Sequence, residues 1–226
     1  MPDTAVDALR SGTLRTELAG EAVTLLPHKA MFWPRRKTLF IADYHLGKVA
    51  AFRDAGLPLP AGTTSQAIQR LSACIAATGA DHVVLLGDFL HSKAARAPKT
   101  LARFAQWRCE YSQLALTLVR GNHDDKAGDP PPDWNIRCVE EGEVLTPFLL
   151  AHHPGALVGG HALCGHIHPA VRLTEPGGTG LALPCFWLRA GYAVLPAFGE
   201  FTGSAVVRPV KGDRCFVIAG DRVLAV

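Results

Sequence analysis

A short polar stretch in the middle of the sequence has the composition of a metal-binding turn. Gly121, Asn122, His123, Asp124 and Asp125 follow an alternating apolar segment. They offer an amide oxygen, an imidazole and two carboxylates in consecutive positions, and these groups bind divalent metals. Such a turn can also end an ordinary strand. It therefore indicates a metal site only together with ligands from elsewhere in the chain.

Four further polar clusters supply such ligands, and each follows an apolar run. The clusters are Asp43-Tyr44-His45, Gly87-Asp88-Phe89-Leu90-His91, His152-His153 and Gly165-His166-Ile167-His168. Any one of them could be an ordinary turn, but five in order favour a site for two metals. Mixed histidine, carboxylate and amide ligation suits Mn, Fe or Zn better than Mg or Ca. The predicted ligands are Asp43, His45, Asp88, Asn122, His152, His166 and His168.

The chemistry expected of this site is phosphoester hydrolysis. Two divalent cations held by the two carboxylates Asp43 and Asp88 keep a net positive charge, which attracts phosphate. Two metals about 3.5–4 Å apart orient a phosphoryl group and lower the pKa of bound water to about 7. His123 remains as a general acid for the leaving group, an effect on the order of 10²- to 10⁴-fold. Asp124 is expected to orient that imidazole.

The surrounding pattern predicts the elements that bring the clusters together. Apolar strands are predicted at Thr38–Ala42 and His82–Leu86, and a third ends at the Gly121 turn. Between them, helices are predicted from Thr63 to Gly79 and from Pro98, the first with a capping box. Right-handed crossovers make such a sheet parallel, and its carboxyl ends meet at one edge.

The flanking regions are predicted to be mainly short strands. Residues 1–20 show no firm period and are expected to form a loosely held lead-in. The segment 177–180 is interpreted as a flexible turn rather than a phosphate loop. The sequence predicts an α/β fold with two packed sheets and helices outside. The remaining predicted strands are Glu21–Leu26, Ala30–Trp33, Phe148–Ala151, Ala162–Cys164, Leu181–Leu188, Tyr192–Leu195, Ala205–Val210, Cys215–Ile218 and Val223–Val226.

Bulk composition sets the remaining bounds. The 226 residues, 48% of them hydrophobic, suit one domain spanning 1–226. A net charge of +3 permits a nucleic-acid partner without arguing for one. The six cysteines form no Cys-x-x-Cys pair and are interpreted as buried hydrophobes. No signal segment or membrane span is visible, so a cytoplasmic protein without membrane contact is expected.

With its five motifs, the sequence closely resembles the calcineurin-like metallophosphoesterases. The resemblance implies a four-layer α/β/β/α sandwich of two mixed sheets. It assigns one metal to Asp43, His45, Asp88 and His168, and the other to Asp88, Asn122, His152 and His166. His152 is preferred over His153 as the ligand because it directly follows the apolar run. His91 occupies a position that is histidine in a nuclease branch of the family, so a substrate contact is expected there.

Finer motifs resemble the bacterial ligase-associated DNA damage response phosphoesterases. They include Ala42–Lys48, Gly165–Pro169 and Leu195–Gly199. This resemblance implies an endonuclease that works with a DNA ligase and a DEXH-box helicase. Manganese is the metal expected at the site, with iron or zinc as alternatives.

The leading hypothesis is therefore a two-metal phosphodiesterase acting on DNA or RNA. Basic residues after two of the clusters are expected to follow the phosphate backbone. They are Lys48, Arg53, Lys93, Arg96, Lys99 and Arg103. One alternative is a phosphodiesterase of small nucleotides, either cyclic or dinucleoside polyphosphates. Another is a non-catalytic scaffold with this fold, which the complete ligand set disfavours.

Overall fold

The computed structural model of the chain describes residues 11–54, 56, 63–174 and 180–226. The predicted turn at 177–180 and the loop before the first long helix lie largely outside these residues.

A seven-stranded mixed sheet forms the first half of the fold. Its first four strands are antiparallel, and the last four, from β4 onward, run parallel. The strands lie in chain order: β1 Leu14–Leu18, β2 Glu21–Leu26, β3 Ala30–Trp33, β4 Thr38–Ala42, β5 His82–Leu86, β6 Ala115–Val119 and β7 Ile136–Val139.

Within the described residues, four α-helices accompany this sheet: α1 Lys48–Asp54, α2 Thr63–Thr78, α3 Pro98–Glu110 and α4 Asn122–Ala127. Short 3-10 helices lie at Pro34–Arg36, Lys93–Arg96 and Pro132–Trp134. Leu71 of α2 and Phe104 of α3 pack in one apolar core with Ile41, Leu85 and Leu118 of the sheet. None of the described helices is long and apolar enough to cross a membrane.

The second sheet is also mixed and has nine strands. Its main path runs β14-β11-β12-β13-β10-β9-β8, and β15 joins β12 to β16. The strands are β8 Glu143–Leu145, β9 Phe148–Leu150, β10 His161–Cys164, β11 Pro169–Thr174, β12 Gly180–Arg189, β13 Tyr192–Val194, β14 Ala205–Val206, β15 Arg214–Ala219 and β16 Arg222–Ala225.

The two sheets pack face to face through aromatic side chains. Phe148 lies with its ring centroid 4.9 Å from that of Trp33 and 6.1 Å from that of Phe40. The predicted α/β class with two packed mixed sheets is confirmed. The described helices all precede residue 135, and residues 135–174 and 180–226 contain none.

Several segments differ from the sequence prediction. The strands β7 and β8 and the helix α4 were not predicted, and β14 covers only the start of the strand predicted over Ala205–Val210. Leu14–Leu18 is not a loose lead-in but an edge strand, paired with β2 along its whole length. Its alternation spans only five residues, and Leu18 alone is buried. The helix Lys48–Asp54 and the strand Pro169–Thr174 were not predicted, because each directly follows a polar cluster and has too little apolar periodicity.

The strand register aligns the ends that carry the polar clusters. Ala42 of β4 pairs with Leu86 of β5, and Leu86 pairs with Val119 of β6, so these three parallel strands end at one level. Phe198, which follows strand β13 of the second sheet, donates its backbone amide to the Ala42 carbonyl at 2.8 Å. The segment after β13 therefore reaches the same edge. Five sequence-distant clusters therefore meet at one place.

Candidate metal centre

Asp88 lies at the middle of the converging side chains. Its Oδ1 is 3.4 Å from His152 Nε2, and its Oδ2 is 3.8 Å from His45 Nε2. The backbone amide of His123 donates to Oδ1 at 2.9 Å and fixes the carboxylate plane. The two oxygens thus face two different groups of ligands, as a carboxylate shared by two metals requires.

Asp43, His45 and His168 form the first group. Their ligand atoms lie within 4.8 Å of one another. His168 Nδ1 donates to the carbonyl of Thr202 at 3.0 Å, which leaves Nε2 directed towards Asp43 Oδ1 at 3.6 Å. The hydrogen bond from Nδ1 sets the tautomer in which Nε2 carries no proton, as a metal ligand needs.

Asn122, His152 and His166 form the second group on the other side of Asp88. His152 Nε2 lies 3.1 Å from Asn122 Oδ1 and 3.0 Å from His166 Nδ1. His152 Nδ1 lies 3.2 Å from the carbonyl of Leu86, which accepts its proton and leaves Nε2 as the ligand atom. The structure therefore brings all seven predicted ligands together.

The donor atoms fit divalent metal ions. His45 Nε2 is buried and has no hydrogen-bond partner among the described residues. Burial and the ammonium of Lys48 lower the pKa of His45 to about 2, so the imidazole is neutral and its lone pair is available. Burial and the neighbouring His152 also lower the pKa of His166. Buried nitrogens without partners are rare in proteins, and a metal would satisfy this one.

The backbone at the site is strained. Ten non-glycine residues have positive φ among the described residues, and five of them are predicted ligands. These five are Asp43 (φ 52°), His45 (50°), Asp88 (51°), His166 (74°) and His168 (50°). Each such conformation costs about 1–3 kcal/mol, and strain of this kind concentrates at functional sites.

This strain predicts an unusual order of stability for two variants at one ligand. His168→Gly and His168→Ala both remove the imidazole, but glycine adopts a φ of 50° without strain. Without metal, the glycine variant is expected to be more stable than the alanine variant by about 1 kcal/mol. Urea unfolding of both apoproteins measures the difference. Equal stability, or a more stable alanine variant, would show that the backbone here is not strained.

Two glycines allow the ligands to approach the backbone. A Cβ on Gly87 would lie 2.0 Å from His152 Nδ1, and one on Gly165 would lie 2.6 Å from Asp43 Oδ2. Any side chain at these positions would displace a ligand. This explains why glycine directly precedes Asp88 and His166 in the sequence.

His123 is positioned beside the ligands but points partly to solvent. Its Nδ1 lies 2.6 Å from the carbonyl of His91, and its Nε2 lies 3.9 Å from Asp88 Oδ2. The carbonyl accepts the Nδ1 proton, so Nε2 is free to exchange a proton at the open side of the site. This placement suits a general acid.

Asp124 does not make the contact that was expected of it. Its buried carboxylate accepts backbone hydrogen bonds from Phe89, Leu90 and Gly121 at 2.9–3.2 Å. The orienting contact to His123 comes from the His91 carbonyl instead. Asp124 thus shapes the two ligand-bearing turns and does not orient the imidazole.

His91 lies against both His123 and His45. Its ring stacks on His123 with centroids 4.9 Å apart, and its Nδ1 is 3.4 Å from His45 Nδ1. Burial, Lys48 and His123 lower the pKa of His91 to about 4. A neutral imidazole at the rim is available to a substrate, as the sequence prediction requires.

The positions of His152 and His153 differ, and they favour His152 as the proposed ligand, although the ligand atoms of both lie within 4.8 Å of that of His166. His152 is fully buried among the ligands, whereas His153 is exposed and its Nδ1 lies 2.8 Å from Glu141 Oε1. The same oxygen accepts the backbone amides of both histidines. The sequence did not indicate a role for Glu141, because a glutamate before a glycine turn does not predict hydrogen bonds to His152 and His153.

Two of the basic side chains that were predicted to follow the phosphate backbone are hydrogen-bonded within the protein. Arg96 donates to the carbonyls of Ala127 and Asp129, and Arg103 donates to Ser65. Lys48 is half-buried and close enough to Asp88 and Asp43 for their charges to act on its pKa. Among the described residues its one recorded side-chain contact is the ring of Phe52, 5.8 Å away. The ammonium of Lys48 therefore lies near the predicted ligands and is suited to contact a phosphate.

Comparison with known proteins agrees with this geometry. The model of the calcineurin-like phosphoesterase family matches residues 36–180. The solved structure of the nuclease MPE of Pseudomonas putida is 39% identical, with a TM-score of 0.85 over 95% of this chain and 100% of that chain. The phosphoesterase Yfce of E. coli is 17% identical, with a TM-score of 0.41 over 81% of this chain and 88% of that chain, too low to carry an argument. No protein of curated function gave a match.

Proposed function

Because this chain belongs to the calcineurin-like phosphoesterase family, we propose that it is a two-metal nuclease that hydrolyses phosphodiester bonds of nucleic acid. Membership makes it a metal-dependent phosphoester hydrolase. The observation that carries the nuclease proposal is the 39% identity to a nuclease over 95% of this chain. The convergence of the six other predicted ligands around Asp88 supports the two-metal part.

The proposed roles follow the geometry. Asp43, His45, Asp88 and His168 hold one metal, and Asp88, Asn122, His152 and His166 hold the other, with manganese as the first choice. When bound, the two metals neutralise the phosphate and activate water. His123 Nε2 gives a proton to the leaving oxygen. His91 at the rim orients the substrate.

The biological setting belongs to the proposal as well. We propose DNA rather than RNA as the substrate, repair as the context, and a DNA ligase and a DEXH-box helicase as partners, in a cytoplasmic protein of one domain. Support comes from the resemblance to the ligase-associated branch.

The direct test is cleavage of labelled DNA and RNA oligonucleotides of one sequence with added manganese, in competition with cyclic nucleotides and dinucleoside polyphosphates. The proposal expects internal cuts in DNA and weak competition. Turnover of the small nucleotides with intact oligonucleotides would replace it with the small-nucleotide function.

Lys48 provides a second prediction. Lys48→Ala is expected to weaken oligonucleotide binding at low salt and to reduce the slope of log K against log salt by about 1, because one phosphate contact is lost. Fluorescence anisotropy between low and moderate salt measures this slope. Arg103→Ala, which removes a cation already bonded to Ser65, is the matched control and should leave the slope unchanged. An unchanged slope for Lys48→Ala would remove Lys48 from the substrate path.

A further inference from the structure

Phe201 combines exposure with backbone strain. It leaves 46% of its surface exposed, and it is the one aromatic residue among the exposed large hydrophobics of the described chain. Its φ of 55° is disfavoured for a bulky side chain. Among the described residues, no other exposed large hydrophobic has a positive φ. The fold thus holds an aromatic ring in water at an energetic cost.

The backbone on both sides of Phe201 is fixed. The preceding Glu200 forms an ion pair with Arg70, and Gly199 donates its amide to the Asp43 carbonyl at 2.9 Å. The following Thr202 accepts the Nδ1 proton of His168 at 3.0 Å. The exposed ring is therefore anchored one residue from a group that orients a predicted metal ligand.

Packing does not account for this ring. Phe201 belongs to none of the hydrophobic clusters and has no ring contact within the described part of the chain. Leu224, which is 45% exposed, lies instead in the regular strand β16 and needs no special explanation. A strained, exposed aromatic whose neighbour in the chain orients a predicted ligand is suited to contact a substrate.

We propose that Phe201 stacks on an unpaired base of the nucleic-acid substrate beside the proposed metal centre. The inference rests on the proposed nuclease function. Stacking on aromatic rings is the usual way in which proteins hold single strands without reading their sequence. A base within a duplex has both faces covered and cannot make this contact.

The test compares a single-stranded oligonucleotide with a strand of the same length made of abasic residues. Phe201→Gly is expected to raise KM for the base-containing strand by roughly 5- to 150-fold. It should leave KM for the base-free strand within about twofold. Phe201→Trp should restore the preference for bases, and Leu224→Ala should change neither KM. Glycine also relieves the positive φ, so Phe201→Gly should not lower the unfolding temperature.

Two results would overturn the role of Phe201: a Phe201→Gly enzyme that keeps the wild-type preference for bases, or an equal rise of both KM values. A wild-type enzyme that cleaves neither strand would instead refute the proposed nuclease function, and the inference with it. The wild-type measurement therefore separates the two failures.

Discussion

Replacing Asp88 by asparagine is expected to lower phosphodiester hydrolysis on the order of 10³-fold or more, because several kcal/mol of transition-state stabilisation are lost. Asp88 has one oxygen 3.4 Å from His152 and the other 3.8 Å from His45, so it is shared between the two ligand groups. Asparagine keeps the size and an oxygen that accepts the His123 amide. It removes the charge and one of the two ligand oxygens.

Turnover of bis-p-nitrophenyl phosphate and metal content per chain measure the effect. Both should fall in Asp88→Asn while the unfolding temperature of the apoprotein changes little. Asp125→Asn is the matched control, since Asp125 is a carboxylate in helix α4, three residues after the predicted ligand Asn122, but is exposed, and it should keep wild-type activity. Retained turnover in Asp88→Asn would show that the two ligand groups do not share this carboxylate.

Replacing His123 by alanine is expected to have an effect that depends on the leaving group. The loss should be on the order of 10²- to 10⁴-fold for an oligonucleotide, whose sugar oxygen must be protonated as it leaves. It should be far smaller for bis-p-nitrophenyl phosphate, because nitrophenolate leaves without a proton. This expectation rests on His123 Nε2, which can exchange a proton with the substrate because Nδ1 is held by the His91 carbonyl.

The kcat values for the two substrates in wild type and His123→Ala provide the comparison, and metal content serves as the control for ligand loss. Equal losses on both substrates with full metal content would assign His123 to charge stabilisation rather than to proton transfer.

The convergence of the predicted ligands could be expected from the sequence because each of them follows a strand. Thr38–Ala42 and His82–Leu86 are apolar after their first residue, which indicates strands covered on both faces. Parallel strands joined by helices end at one edge, so Asp43 and Asp88 had to meet. The orienting contacts could not be predicted. Glu141, the Thr202 carbonyl and the His91 carbonyl act through positions that only the folded chain brings together.

The backbone conformation of these residues could not be predicted from the sequence either. The positive φ of His168 and Phe201 contradicts the preference of both residue types, so no propensity indicates it. The expectation that Asp124 orients His123 was wrong for a related reason. Asp124 is the third residue after Gly121 and bonds to its amide as in a capping box, a local contact that competes with the longer one.

The most direct test of the two-metal account is a titration of the metal-free protein with manganese, followed by turnover of bis-p-nitrophenyl phosphate. The account predicts little activity with the first equivalent and a rise that is complete when two equivalents are bound per chain. Full activity with one bound metal, or no turnover after two have bound, would contradict it.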